Sequence, residues 1–112
     1  EKSSLKVRYH RRCCITGIQC STAHITHADN TLLFHASHQR EEYGAAEWIH
    51  FSGTGYLLRL SAWEYPVLQL KRMGLSKPCR RLIVMLMQLH GIDLLHLDAA
   101  GDVLPTFATF DW

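Results

Sequence analysis

"SKPCRRLIVMLMQLHG", residues 76–91, is the most informative stretch for the fold, because it predicts one long helix that is apolar on more than one side. Ser76 is a favourable N-cap, Pro78 fits the first turn, and Gly91 suits the residue that ends a helix. After Arg81 the helix is apolar on nearly every side, and such a helix is buried on more than one face. We therefore expect this helix to lie across a sheet, beneath other elements.

Alternating apolar residues predict the strands of that sheet. DLLHLD (93–98) follows the helix, and EWIHFSG (47–53) and GYLLRLSA (55–62) read as a hairpin with a short glycine-containing connection. CCITGIQC (13–20) is β-branched and apolar at alternate positions, which predicts the first strand. Residues 67–70 are predicted as a third short strand between the hairpin and the long helix.

A second helix is predicted over residues 27–38, preceded by Thr26 and Asp29 in a capping-box arrangement. The element order is then β-α-β-β-(β)-α-β. This order indicates an α+β fold: one mixed or antiparallel sheet of about four to five strands, with two helices packed on it. We expect residues 13–112 to form a single domain. Residues 1–12 are predicted as a basic flexible arm, for which an edge strand is the structured alternative.

The composition is that of one globular domain. The chain has 112 residues, of which 47% are hydrophobic and 20% charged, with a net charge of +2. No apolar run approaches the roughly 20 residues that a membrane helix needs. The basic start also lacks the apolar segment of a secretory signal peptide. We therefore expect a cytoplasmic protein without membrane contact.

Charge is distributed unevenly along the chain. Residues 1–12 are strongly basic, whereas the segment from Ile92 onward has four Asp and neither Lys nor Arg. A central basic cluster consists of Lys71, Arg72, Lys77, Arg80 and Arg81. The net charge is too mild for an acidic DNA mimic and falls short of a dedicated nucleic-acid binder. The basic cluster nevertheless leaves nucleic acid as an alternative partner.

No catalytic or metal-binding motif is recognisable. The sequence has no GxSxG, HExxH, phosphate-binding loop or CxxC pair. Two HxxH pairs occur, His24 with His27 and His35 with His38. His35 and His38 are one helical turn apart, but a further metal ligand would have to come from elsewhere in the chain. We therefore predict no catalytic residue, no metal and no cofactor, which favours a non-enzymatic protein over an enzyme.

The chain closes on DAAGDVLPTFATFDW, residues 98–112, an aromatic-rich ending. Each aromatic side chain can bury about 150–250 Å². We therefore expect Phe107 and Phe110 to dock on the body. Asp111 and Trp112, at the extreme end, are predicted as exposed contact residues. Val103 and Leu104 are predicted as a short strand returning along the preceding one.

Three stretches resemble a small family of uncharacterised proteins. They are STAHIT (21–26) with the ADN and LL that follow it, WIHFSGTGYLLRL (48–60), and LLHLDAAGDVLPTFATFDW (94–112). The most specific part is the ending AGD-x-LP-x-F-x-TFDW, and the resemblance spans about residues 15–112. The family is found on plasmids and prophage-like islands of enteric bacteria, near antirestriction and toxin–antitoxin genes. The resemblance supplies no catalytic residue and implies an accessory protein of mobile elements.

Two classes of function follow. The first is a small non-enzymatic accessory protein that binds a protein partner in the bacterial host. It would inhibit a host defence system in an anti-CRISPR-like or antirestriction-like way. The alternative is a nucleic-acid-associated regulator, or a metal-dependent nuclease, that uses the basic cluster 71–81. The candidate contact residues are Asp111, Trp112, Lys71, Arg72, Lys77, Arg80 and Arg81.

Overall fold

The fold is built on one five-stranded mixed sheet. The computed structural model describes residues 6–10, 14–38 and 48–112. The strands are β1 (Lys6–His10), β2 (Cys14–Ser21), β3 (Ile49–Phe51), β4 (Gly55–Arg59) and β5 (Leu94–Asp98), in the spatial order β1-β2-β5-β4-β3. The helices are α1 (His27–His38), α2 (Pro66–Met73) and α3 (Lys77–His90), with 3-10 turns at Thr22–His24 and Leu60–Ala62.

Strands β2 and β5 are parallel, whereas all other neighbouring pairs are antiparallel. A parallel pair needs a crossover connection, and here the crossover contains α1, the β3–β4 hairpin, α2 and α3. The carboxyl ends of β2 and β5 therefore lie side by side, with Ser21 opposite Asp98.

One face of the sheet carries the core. Ile18, Leu95, Leu58 and Ile49 form a cross-strand row, and all are buried. The helices supply the opposing layer, with the buried side chains Leu33, Leu70, Leu82, Ile83 and Leu86. The alternate row on the other sheet face (Gln19, His96, Leu57 and His50) is more exposed. The predicted α+β class with a mixed sheet is confirmed.

Local signals place the two longest helices correctly. Helix α1 spans the predicted residues, and Thr26 and Asp29 form the reciprocal capping box. In α3 the Ser76 hydroxyl accepts from the Cys79 amide, and Gly91 closes the helix in the left-handed conformation with φ of 59°. Both ends follow from capping chemistry within one turn of each helix.

The predicted strand at residues 67–70 is wrong, because this segment belongs to helix α2. Pro66 occupies the first turn, and Gly74 closes the helix in the left-handed conformation with φ of 91°. Only Pro66 and Leu70 are buried along the eight residues, so the helical period shows at just two positions. The described ranges therefore contain three α-helices where the sequence predicted two. Val103 and Leu104 also lie outside any strand, contrary to prediction, and the Leu104 amide donates to the ring of His24 instead of to a neighbouring strand.

Residues 6–10, which the sequence assigns to a basic arm, pair with β2 as the edge strand β1. The rest of that arm, Cys13 and the predicted loop at 39–47 lie outside the described residues. The division into an arm and a single domain stays a prediction. No helix in the described ranges is long and apolar enough to cross a membrane.

Candidate functional site

A groove of about 630 Å³ lies where the parallel strands β2 and β5 end. Its walls come from the segment after β2, from α1, from the β3–β4 hairpin and from the last residues of the chain. Ligands commonly bind beyond the carboxyl ends of parallel strands, because the loops there converge from different parts of the chain. We call this cavity the aromatic groove.

Half-exposed aromatic rings dominate the groove. Phe34 on α1 is 41% exposed, Phe51 at the end of β3 is 42% exposed, and Trp112 is 52% exposed. The Phe34 and Phe51 rings meet edge to face with centroids 5.4 Å apart, and the His38 ring stacks on Phe34 at 4.0 Å. These rings are held in defined positions although a large part of each faces solvent.

The first residue of β4, Gly55, lies unusually close to the backbone of the neighbouring strand β5. A Cβ atom at Gly55 would lie 1.8 Å from the Leu97 carbonyl oxygen, so only glycine fits at this strand position. This approach brings Phe51 and Tyr56 to the groove. The Tyr56 hydroxyl donates to Asn30 Oδ1 at 2.8 Å, which ties β4 to α1. Burial raises the pKa of Tyr56, so the hydroxyl remains a donor.

Several polar groups in and beside the groove are hydrogen-bonded within the protein. The Ser21 hydroxyl accepts from the Ala23 amide at 2.9 Å, and the Thr54 hydroxyl donates to Asp98. Gln19 also donates to Asp98, at 3.3 Å. None of the described residues that line the groove is charged. The groove therefore offers an uncharged surface that includes several aromatic rings.

Thr54→Val will raise the pKa of the Asp98 carboxyl, because the Thr54 hydrogen bond is the main cause that holds this pKa below its ordinary value of 3.8. A depressed folded-state pKa stabilises the fold above pH 3.8, and this stabilisation disappears as pH falls through the folded-state value. An NMR titration of the side-chain carboxyl carbon checks the shift. Thr54→Ser keeps the hydroxyl and is the matched control. An unchanged Asp98 pKa in Thr54→Val would contradict this role of the hydroxyl.

The end of the chain is anchored on His24, which is 1% exposed. The Leu104 amide donates to His24 Nε2 at 2.8 Å, and Nδ1 lies 2.8 Å from the Ala108 carbonyl oxygen. An amide can only donate and a carbonyl can only accept, so Nε2 accepts and Nδ1 donates. The neutral Nδ1–H tautomer therefore joins two points of the tail, residues 104–112, to the body. The Phe107 ring meets His24 edge to face at 6.0 Å and packs against the core.

The last residues run back along the segment between β2 and α1. The Phe110 amide donates to the Ala23 carbonyl, and Trp112 Nε1 donates to the Ile25 carbonyl, each at 2.8 Å. The Trp112 ring also lies 5.6 Å from the ring of His27. The predicted docking of Phe107 and Phe110 is confirmed. Trp112 is both anchored and half-exposed, and Asp111 is exposed.

The predicted basic residues occupy a different surface. Lys71 and Arg72 lie in the last turn of α2, and the remaining three lie in the first turns of α3. Arg80 is half-buried and its Nε donates to the Leu75 carbonyl at 3.2 Å. Lys77 and Arg81 are exposed and line a second cavity of about 470 Å³, together with the tail. The structure thus separates the candidate residues into a tail pair and a basic corner between α2 and α3.

Histidines and cysteines do not assemble a metal site in the described ranges. No group of three or more His, Cys, Asp or Glu side chains is arranged there to hold a metal ion. His38 Nδ1 lies 2.8 Å from the Phe34 carbonyl, within the same helix. Burial raises the pKa of the Cys20 and Cys79 thiols to about 12, so both stay protonated.

Sequence reasoning missed several walls of the groove: Asn30, Phe34, Phe51 and Tyr56. Phe34 lies beside the apolar stripe of α1, and Phe51 lies at the end of a strand. At such positions the hydrophobic periodicity does not predict whether a side chain is buried or exposed. His24 was also missed, and only its long-range partners in the tail reveal its role.

A family model described as the C-terminal domain of a family of unknown function, DUF5983, matches residues 17–112. The chain belongs to this family. Curated proteins and solved structures give no match. The matched range begins within β2 and contains β3 to β5, helices α1 to α3, the aromatic groove and the tail.

Proposed function

We propose that the chain acts by binding a protein partner, without catalysis, and that the aromatic groove is the contact surface. The observation that carries the proposal is the set of half-exposed rings around the groove, from Phe34, Phe51 and Trp112. Aromatic side chains are enriched at protein interfaces and dominate their binding energy. Large exposed apolar groups that are gathered in one place mark interaction sites more often than scattered ones do.

Three features support binding over chemistry at this groove. Three of the hydroxyls that line it, those of Ser21, Thr54 and Tyr56, are hydrogen-bonded to neighbours inside the protein. The described lining residues carry no charge. The rings are positioned before any partner arrives, since the tail is anchored through His24, Ala23 and Ile25. A preformed surface loses little conformational entropy on binding.

The biological setting is a separate part of the proposal. The tail ending resembles proteins of plasmids and prophage-like islands, which suggests an accessory protein of a mobile element that inhibits a host defence system. The partner would then be a cytoplasmic defence protein of an enteric host. Survival of a phage-challenged host that carries a defined defence system, with and without the chain, tests this setting directly.

The groove variants Phe34→Ser and Trp112→Ala will each weaken partner capture by about thirtyfold, because a central aromatic contact contributes about 2 kcal/mol. The measurement is affinity purification from an enterobacterial lysate, followed by quantitative mass spectrometry of the bound proteins. Leu89→Ser is the matched control, since Leu89 is also an exposed apolar residue but does not line the groove. Equal capture by the groove variants and the wild type would contradict the assignment of the groove.

Nucleic-acid binding remains the second candidate because the basic corner is not balanced by nearby acids in the sequence. Residues 65–92 contain five Lys or Arg and neither Asp nor Glu. A mobility-shift assay with single- and double-stranded DNA and RNA at low salt tests it, since phosphate contacts weaken steeply as salt rises. No shift at low salt would remove this candidate.

A further inference from the structure

The second cavity has a basic rim and an apolar floor. One wall is the start of α3, with Lys77, Pro78, Arg81 and Leu82, and the other wall is the tail segment 106–108. Its volume of about 470 Å³ lies in the range of specific binding pockets. We call it the basic cavity. The fold creates this cavity, because the tail that forms one wall is anchored beside α3 on His24.

Only two of the three basic side chains at the start of α3 lie at the rim of the cavity. Lys77 and Arg81 are four residues apart, so both side chains lie on one face of α3. Arg80, which stands between them in sequence, is directed to the Leu75 carbonyl and does not line the cavity. Like charges at this spacing repel and destabilise a helix slightly. No acidic residue lines the cavity among the residues that the structure describes.

The floor is suited to an apolar side chain. Leu82 is buried, and the Phe107 ring is held edge to face against His24. His24 is also part of the lining, but both of its ring nitrogens are occupied by the tail backbone. A ligand of this cavity therefore has to match two cations at the rim and an apolar surface below them.

We propose that the basic cavity binds an acidic segment of the protein partner. An apolar side chain of that segment fills the cavity between Leu82 and Phe107, and flanking carboxylates pair with Lys77 and Arg81. This inference rests on the proposed protein-binding function and adds the chemistry of the recognised segment. Carboxylates on either side of one apolar residue match the arrangement of rim and floor. A nucleic-acid backbone would leave the apolar floor without a counterpart, which is why the acidic segment is favoured.

A display selection with a random peptide library on the intact chain tests the proposal. We expect enrichment of peptides in which Asp or Glu flanks a large apolar residue. The double variant Lys77→Glu with Arg81→Glu will weaken the binding of an enriched peptide by at least about thirtyfold, because two charge-assisted contacts are lost. Lys71→Glu with Arg72→Glu is the matched control, since it changes the net charge equally outside the cavity. The control will change affinity by less than about threefold, the effect of a screened charge at a distance.

Leu82 is part of the core, so Phe107→Leu tests the floor with a smaller risk to the fold. This variant will weaken the binding of the acidic peptide, while its thermal midpoint stays within a few degrees of the wild type. The proposal is overturned if acidic peptides are not enriched, or if both charge-reversal pairs weaken binding equally. It is also overturned if a single-stranded oligonucleotide binds with the same dependence on Lys77 and Arg81.

Failure of this inference and failure of the proposed function give different results. If Phe34→Ser and Trp112→Ala lose the lysate partner but the charge reversals do not, the aromatic groove is supported as the contact surface. The proposed role of the basic cavity is then contradicted. If the groove variants keep the partner and the acidic peptides still require Lys77 and Arg81, the assignment of the groove is contradicted. The proposed binding of an acidic segment in the basic cavity is then supported.

Discussion

Replacing Asp29 by alanine will lower the free energy of unfolding by about 3 kcal/mol, because one buried carboxylate caps two helices. Asp29 is 1% exposed. Its Oδ2 accepts from the Thr26 amide at 3.1 Å and from the Ser76 hydroxyl at 2.6 Å, and its Oδ1 accepts from the Ser76 amide at 2.8 Å. Alanine leaves all three donors without their acceptor inside the protein. Urea unfolding followed by circular dichroism measures the loss.

The controls separate the carboxylate from the mere removal of a side chain. Asp102→Ala removes an exposed carboxylate and will stay within about 0.5 kcal/mol of the wild type. Asp29→Asn keeps the shape and one carbonyl acceptor, so its loss will be smaller than that of alanine. A stability of Asp29→Ala equal to that of Asp102→Ala would show that the link between the two helices contributes nothing.

Deletion of residues 105–112 will lower the thermal midpoint by about 10 °C, the shift expected for a loss of 2–3 kcal/mol in a domain of this size. The deletion removes the Phe107 ring from the core and the Ala108 carbonyl from His24. It also removes the hydrogen bonds from the Phe110 amide to Ala23 and from Trp112 Nε1 to Ile25. Differential scanning calorimetry of the shortened chain gives the midpoint.

Shorter changes divide the effect of the tail. Deletion of residues 111–112 removes the Trp112 contacts with Ile25 and His27 and will cost less than half of the full effect. Phe107→Ala will account for a large share of it, because this ring packs on the core. A shortened chain that melts like the full chain would show that the tail is held without stabilising the body.

The elements that the sequence predicts well are those whose signals act within a few residues. The capping box at Thr26 and Asp29, the N-cap Ser76 and the terminating Gly91 each bind a backbone group about one turn away. Helix α2 carried similar signals in Pro66 and Gly74. They were outweighed because Leu68 and Leu70 also fit the alternation of a strand, and a segment of eight residues cannot separate the two periods.

The candidate site is predictable only in part. The aromatic residues of the tail stand out in the sequence because they are too apolar to remain unpacked at a chain end. The facing walls of the aromatic groove do not stand out in the sequence, because only the tertiary structure shows that the Phe34 and Phe51 rings are exposed. The basic cluster is visible in the sequence, but only the structure distinguishes Lys77 and Arg81, at the cavity, from Arg80, which bonds to Leu75.

Local patterns in the sequence suffice to predict the class of the fold, the hairpin, and the bounds of α1 and α3, because turn and capping chemistry depends on near neighbours. The tertiary structure alone decided the parallel pairing of β2 with β5 and the incorporation of β1 at the sheet edge. It also decided that Asp29 reaches Ser76, 47 positions away, and that His24 receives the tail, 80 and 84 positions away. The free energy of such contacts depends on how the whole chain closes on one core, and no local window contains that information.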